Sequence, residues 1–147
     1  MRSYYEYSLS DDAKPCPFCE IDRPLIVESS KKFIVTLARA PYTKDHLLII
    51  PKKHKILFSK LKSKEIKELF SLVKKRDKKL HTMYEDVTFL LRDGYINLGK
   101  SNKSVNHFHF HLIPKIPIGA LNNINDRPFL DEEDFILLVD DFCKRTK

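Results

Sequence analysis

The run Val105-Asn106-His107-Phe108-His109-Phe110-His111-Leu112-Ile113-Pro114 constrains this chain more than any other stretch. Histidine alternates with a bulky apolar residue, and side chains on a β-strand point to opposite faces with a period of two. In a strand, His107, His109 and His111 therefore share one face with Val105 and Ile113, while Phe108, Phe110 and Leu112 fill the other. The apolar face belongs to a core and the imidazole face to chemistry. Same-face residues of a regular strand stand roughly 6.5 Å apart. That spacing keeps the rings from bonding one another and suits a row of contacts along one extended substrate. The alternative is a half-buried strand whose histidines are merely polar.

The rest of the chain sets the context for that strand. At 147 residues it is long enough to bury one core without cross-links. It reads as a single domain over 1–147, with an N-terminal arm at 1–14, a motif-bearing core at 15–114 and a C-terminal helix at 129–147. With 42% hydrophobic and 32% charged residues it is globular rather than disordered. A net charge of +7 favours anionic partners such as phosphates, nucleotides or nucleic acid. Many of the lysines lie between Lys52 and Lys79, however, where a helix would simply present them to water. No apolar run is long enough to cross a bilayer, and the tyrosine-rich start lacks the apolar region of a signal peptide. A cytoplasmic protein without a membrane partner is expected. Disulfides are rare there, so the three cysteines need another explanation.

Taken in order, the chain first offers Cys16-Pro17-Phe18-Cys19 in a proline-rich turn. This spacing reads as half of a tetrahedral zinc site, as a redox pair, or as two unligated thiols. No apolar strand precedes it, which argues against the redox pair. Ser29-Ser30-Lys31 reads as a turn, Phe33–Ala38 as a strand, and Asp45–Pro51 as a second strand with His46, Leu48 and Ile50 on one face. Ser63 is the expected N-cap of a helix to about Tyr84, with Ile66, Leu69, Phe70 and Val73 at helical spacing. Val87–Arg92 and Tyr95–Asn97 are further strands around an Asp93-Gly94 turn, and a loop from Gly99 to Ser104 enters the histidine strand. Asp131 caps a last helix, Glu132–Lys144, whose acidic first turn and basic end suit the helix dipole. Cys143 on that helix has no sequence partner and reads as structural.

These residues carry a resemblance. The segment from Asn97 through Ser104-Val105 to His107-Phe108-His109-Phe110-His111 resembles the signature of the histidine triad (HIT) family, and Asp45 to His54 (DHLLIIPKKH) resembles its upstream histidine, apolar strand and Pro-Lys-x-His block. The leading CPFC resembles the family's zinc-binding bacterial-type branch, echoed in galactose-1-phosphate uridylyltransferase. The resemblance spans Pro15 to Pro114. It implies an α+β fold with an antiparallel sheet of about five strands, a long central helix and a C-terminal helix, in a homodimer. It also implies hydrolysis or transfer at the α-phosphate of a nucleotide conjugate. His109 then matches the nucleophile that becomes a nucleotidyl-histidine, His111 and Ser104 match contacts to the scissile phosphate and leaving group, and Asn97 matches a phosphate neighbour. Gly99 and the loop it opens offer backbone N–H groups to an oxyanion, and His46 orients its neighbours. In the zinc branch the first triad histidine is a ligand, so the resemblance gives Cys16, Cys19, His54 and His107 as the set for a structural zinc.

The chain departs from the family pattern in places. An acidic residue that grips the ribose hydroxyls is replaced by Ala38, and Asn102-Lys103 stands where Gly-Gln is usual, with Lys103 a candidate contact to polyphosphate. Competing readings are a metallohydrolase in which the triad itself binds catalytic zinc, an aprataxin-like hydrolase of adenylated DNA that would use the positive charge, and a non-catalytic nucleotide-binding homodimer.

Overall fold

Alternating apolar residues build the sheet. The computed structural model describes residues 16–38, 41–94, 105–115 and 131–145. Within them the strands β1 (Ile26–Ser29), β2 (Phe33–Leu37), β3 (Leu47–Pro51), β4 (Val87–Leu91) and β5 (Phe110–Pro114) pair antiparallel in the order β1-β2-β3-β5-β4. The α-helices are α1 (Ser63–Leu80) and α2 (Glu132–Arg145). The chain divides into two compact units, Met1–Ile116 and Pro117–Lys147. This is the α+β arrangement expected, a five-stranded antiparallel sheet with helices.

In the first unit, one face of the sheet and one side of α1 make the core. Phe33 and Val35 of β2, Leu47 and Ile49 of β3, and Phe110 and Leu112 of β5 pack with Leu69, Leu72 and Val73 of α1. Each such side chain contributes about 2 kcal/mol on leaving water. Phe108 joins this core, fully buried, so the apolar half of the histidine run does what its alternation predicts. His46, Leu48 and Ile50 are buried too but lie on the opposite face.

Several element boundaries differ from the sequence reading. The strand of the triad begins at Phe110, not Val105, because the preceding backbone finds other partners. The Phe108 N–H donates to the Lys55 carbonyl at 2.6 Å, and the His107 carbonyl accepts from the His109 ring at 2.7 Å. The expected helix to Tyr84 stops at Leu80, where the Thr82 hydroxyl donates to the Lys79 carbonyl and both Met83 and Tyr84 donate to Leu80. Its cap position is Lys62 rather than Ser63. The Glu65 carboxylate, not a serine hydroxyl, accepts the Lys62 N–H at 2.7 Å. Phe70, counted in the apolar stripe, is exposed, and its ring meets that of the core residue Phe110 of β5 edge-on at 5.9 Å. β1 escaped the sequence reading because it is a four-residue edge strand with a bulge between Ile26 and Glu28. The expected strand Tyr95–Asn97 lies outside the described residues.

In the second unit Asp131 caps α2 as expected, its Oδ1 accepting the Asp134 N–H at 2.9 Å. Cys143 is exposed there rather than a buried packing residue. Among the described residues no helix is long and apolar enough to cross a membrane.

Glu65 ties the helix to the loop after β3. Buried at the start of α1, it accepts from Lys55 Nζ at 2.6 Å as well as from the Lys62 N–H. The Lys55 hydrogen bond, then the Lys62 N–H, hold its carboxyl below the usual range against the opposing effect of burial. Glu65→Ala is expected to lower unfolding free energy by about 3 kcal/mol, because it strands Lys55 and uncaps α1. The stabilisation is present above the ordinary carboxyl pKa and lost as pH falls through the lowered one. Urea unfolding of both proteins at pH 7 and pH 3 measures this; the expected gap is smaller at pH 3 than at pH 7.

Candidate functional site

The site is built where β3 and β5 lie side by side. Leu48 is paired with Thr36 on one side and His111 on the other, so β2, β3 and β5 present those residues on the face away from α1. His46 reaches this face from just before β3. Asp45, the residue ahead of it, takes a left-handed backbone (φ 64°) and accepts the Tyr84 hydroxyl on its carboxylate. Aspartate tolerates that conformation better than most residues. The turn delivers His46 beneath the Tyr42 ring, stacked at 5.6 Å between centroids.

The hydrogen bonds fix the position of each ring proton. The Tyr42 N–H donates to His46 Nδ1 at 3.2 Å, so the proton of a neutral His46 sits on Nε2. His46 Nε2 lies 2.8 Å from His111 Nδ1 and donates to it, which places the His111 proton on Nε2. Both rings are held neutral. Burial, then the charge His109 can carry, lowers the pKa of His46 to about 4. Burial, followed by His109, His46 and Arg92, lowers that of His111 to about 3. His109 is arranged the other way round. Its Nδ1 donates to the His107 carbonyl at 2.7 Å, so its lone pair is on Nε2. The rings of His109 and His111 are 4.8 Å apart, closer than a regular strand allows, because His109 precedes β5.

The first histidine of the run faces elsewhere. His107 Nε2 donates to the Pro51 carbonyl at 2.8 Å, leaving the lone pair on Nδ1, which lies 3.3 Å from Cys16 Sγ and 3.7 Å from Cys19 Sγ. His54 Nδ1 stands 3.1 Å from Cys19 Sγ. The four donor atoms of Cys16, Cys19, His54 and His107 lie within 4.8 Å of one another. Sulfur and nitrogen ligands of a tetrahedral ion stand roughly 3.5 Å apart, so the set fits such a metal. Partial desolvation, then the hydrogen bond and charge of Cys16, push the Cys19 thiol up to about 11. Two thiols so close resist ionising together, and a bound cation removes that conflict.

Two features connect this cluster with the other rings. Phe18, between the two cysteines, sets its ring edge-on to His109 at 5.1 Å and to His107 at 6.1 Å. It also helps line a cavity of about 630 Å³ with Asp22, Leu25, Thr36, Ala38 and Leu48. That volume lies within the usual range for small-molecule sites.

The structure thus brings together His46, His109 and His111 in one group and Cys16, Cys19, His54 and His107 in another. Asn97, Gly99, Lys103 and Ser104 lie outside the described residues. The sequence reading missed Phe18, Tyr42 and Arg92. Phe18 was legible as the residue enclosed by the cysteines, whereas Tyr42 and Arg92 carry no sequence signal of their own.

A model of the HIT domain matches residues 20–118, and the chain belongs to that family. It is 33% identical over 104 residues to the adenosine 5'-monophosphoramidase hnt1 of Schizosaccharomyces pombe, covering 68% of this chain and 74% of that protein. It is 29% identical over 134 residues to the uncharacterised HIT-like protein MG132 of Mycoplasma genitalium, covering 84% and 91% respectively. Its fold is that of a Bacillus subtilis HIT family protein of known structure, with a TM-score of 0.68 at 24% identity over 91% of this chain and 99% of the other.

The neutral His46–His111 pair has a measurable consequence. Between about pH 6.5 and 4 the unfolded chain takes up protons that these rings refuse in the fold. Their effect on stability is absent above about pH 6.5, and destabilisation grows as pH falls toward 4. Removing one such ring should therefore flatten the loss. His46→Asn is expected to lose less unfolding free energy than the wild-type protein from pH 7 to pH 4.5, by roughly 1–2 kcal/mol. Equal losses would show that the rings titrate normally.

Proposed function

We propose that the chain is a nucleotide hydrolase or nucleotidyltransferase working at the α-phosphate of a nucleotide conjugate through a nucleotidyl-His109 intermediate. The observation that carries the reading is the 2.7 Å hydrogen bond from His109 Nδ1 to the His107 carbonyl. It leaves the His109 lone pair on Nε2, where the proposed attack needs it, and supplies an acceptor for the positive ring that would form when Nε2 bonds to phosphorus. Family membership and the phosphoramidase activity in the name of the yeast relative support the same chemistry.

In the proposed reaction His109 Nε2 attacks the α-phosphorus and the bond to the leaving group breaks. His111, its proton on Nε2, donates a hydrogen bond to the charge that develops there, oriented through Nδ1 by His46. Water or another acceptor then attacks phosphorus and releases His109. Ser104, Asn97, Gly99 and Lys103 complete the phosphate contacts in this reading. The nucleoside occupies the cavity of about 630 Å³, where Ala38 leaves ribose recognition without the family's acid.

We assign the cluster to a structural zinc. Two thiolates and two imidazoles suit this borderline-soft ion, and four protein ligands leave no open position for a reactant. Bound there, zinc supplies charge and cross-linking, pinning the CPFC turn and with it Phe18 against His109. Only His107 of the triad belongs to the cluster, which counts against a metallohydrolase using all three rings. A cytoplasmic homodimer in which the whole chain acts as one HIT-like domain completes the proposal.

Incubation with a panel of nucleotide conjugates, acid-free quenching and peptide mass analysis is expected to find a nucleotidyl adduct on the peptide containing His109. His109→Ala should lose the adduct and at least 1,000-fold in turnover while retaining one zinc per chain. Loss of both activity and metal would instead favour the metallohydrolase. Separately, Cys19→Ser is expected to lower zinc content in protein purified without chelators and to reduce its melting temperature. Unchanged zinc in that variant would remove Cys19 from the ligand set.

A further inference from the structure

In the proposed chemistry His111 offers the departing group one hydrogen bond from a neutral ring and no charge. His46 and His111 are both held neutral, and a neutral imidazole is a hydrogen-bond donor rather than an effective acid. An amine leaving group needs a proton, whereas a phosphate departs as an anion and needs a positive charge. Arg92 stands where such a charge is useful. β4 pairs with β5 so that Leu90 is opposite His111 and Leu91 opposite Phe110. Opposed residues share a face and faces alternate along a strand. Arg92, two residues beyond Leu90, thus returns to the face of the histidines. An independent contact agrees. Arg92 Nη2 donates to the Tyr42 hydroxyl at 3.2 Å, and the Tyr42 ring stacks on His46, which bonds His111. Arg92 is half-buried, where a guanidinium is screened less than on an open surface. A planar guanidinium is also the side chain best shaped to take phosphate oxygens two at a time.

We infer that Arg92 is a specificity-determining residue that binds an anionic, phosphate-type leaving group, so that the chain favours nucleotides joined through a phosphoanhydride over nucleoside phosphoramidates. This rests on the reading of His109 as nucleophile and narrows its substrate class. In the reaction the bond between the α-phosphorus and the bridging oxygen breaks, the electron pair leaves with that oxygen, and the new phosphate departs as an anion on Arg92. No proton need be transferred in this step, which accords with two neutral rings.

Two measurements on zinc-loaded protein test it. In the first, diadenosine triphosphate and adenosine 5'-phosphoramidate are compared for the wild-type protein, Arg92→Gln, Arg92→Lys and Tyr42→Phe. Arg92→Gln is expected to lose about 30-fold in kcat/KM on the triphosphate and less than threefold on the phosphoramidate, from the worth of a charged hydrogen bond. Arg92→Lys should recover part of the loss, and Tyr42→Phe, which breaks the contact but keeps the charge, should leave the ratio of the two substrates as in the wild-type protein. Equal losses on both substrates in Arg92→Gln, or a shifted ratio in Tyr42→Phe, would make Arg92 a structural support and overturn the inference. The second measurement needs no turnover. Calorimetric titration with ADP and AMP is expected to show ADP binding more tightly to the wild-type protein, with that advantage falling about tenfold in Arg92→Gln. If His109 forms no adduct but the ADP advantage depends on Arg92, the nucleophile reading fails and the anion site stands. If wild-type protein shows no ADP advantage, the anion site fails.

Discussion

His107 is the residue on which the rest of the site depends. Its Nε2–H is fixed on the Pro51 carbonyl, its Nδ1 faces the two thiols, and its own carbonyl accepts the His109 proton. One fully buried residue therefore joins the end of β3, the metal-ligand cluster and the ring proposed to react. An imidazole whose far nitrogen is held by a backbone carbonyl has one tautomer and one orientation, the usual support for a histidine ligand. The cost is the regular strand. The backbone from His107 to His109 gives up ladder pairing, with the Phe108 N–H passing to Lys55. That exchange brings the His109 and His111 rings within 4.8 Å of each other.

The two clusters use imidazole in opposite ways. Around His107 the lone pairs converge, which suits a cation. Around His46 and His111 each lone pair already receives a proton donor, and the rings stay neutral under burial. His109 lies between the two, with Phe18 against its ring. Glu65 carries this arrangement back to the fold, because the lysine it anchors, Lys55, supplies the carbonyl that holds Phe108 and follows directly on His54. Packing of α1 on the sheet and the placement of the ligands are thus parts of one set of bonds.

Much of this was legible because it depends on period. The alternation of Phe108, Phe110 and Leu112 with histidine identified the two faces, and the spacing of Leu69 and Val73 identified the helix that covers one of them. The cysteine spacing and the histidines at 54 and 107 were legible through family resemblance, and the donor atoms do converge. What period could not reveal was where a strand yields to side-chain and loop bonds. The start of β5, the cap supplied by Glu65, and β1 with its bulge all turn on particular side-chain and backbone contacts that a periodic pattern does not register. Arg92 and Tyr42 were missed for the same reason. Neither belongs to a motif, and their relevance follows only from the register of β4 on β5 and the stacking on His46.

The location of the ring protons is the central claim, and nitrogen NMR reads it directly. In zinc-loaded protein with ¹⁵N-labelled histidine at pH 7, His109 should carry its proton on Nδ1 with Nε2 bare, while His46 and His111 should be neutral with the proton on Nε2. A His109 protonated on Nε2, or a positively charged His46–His111 pair at that pH, would contradict the account.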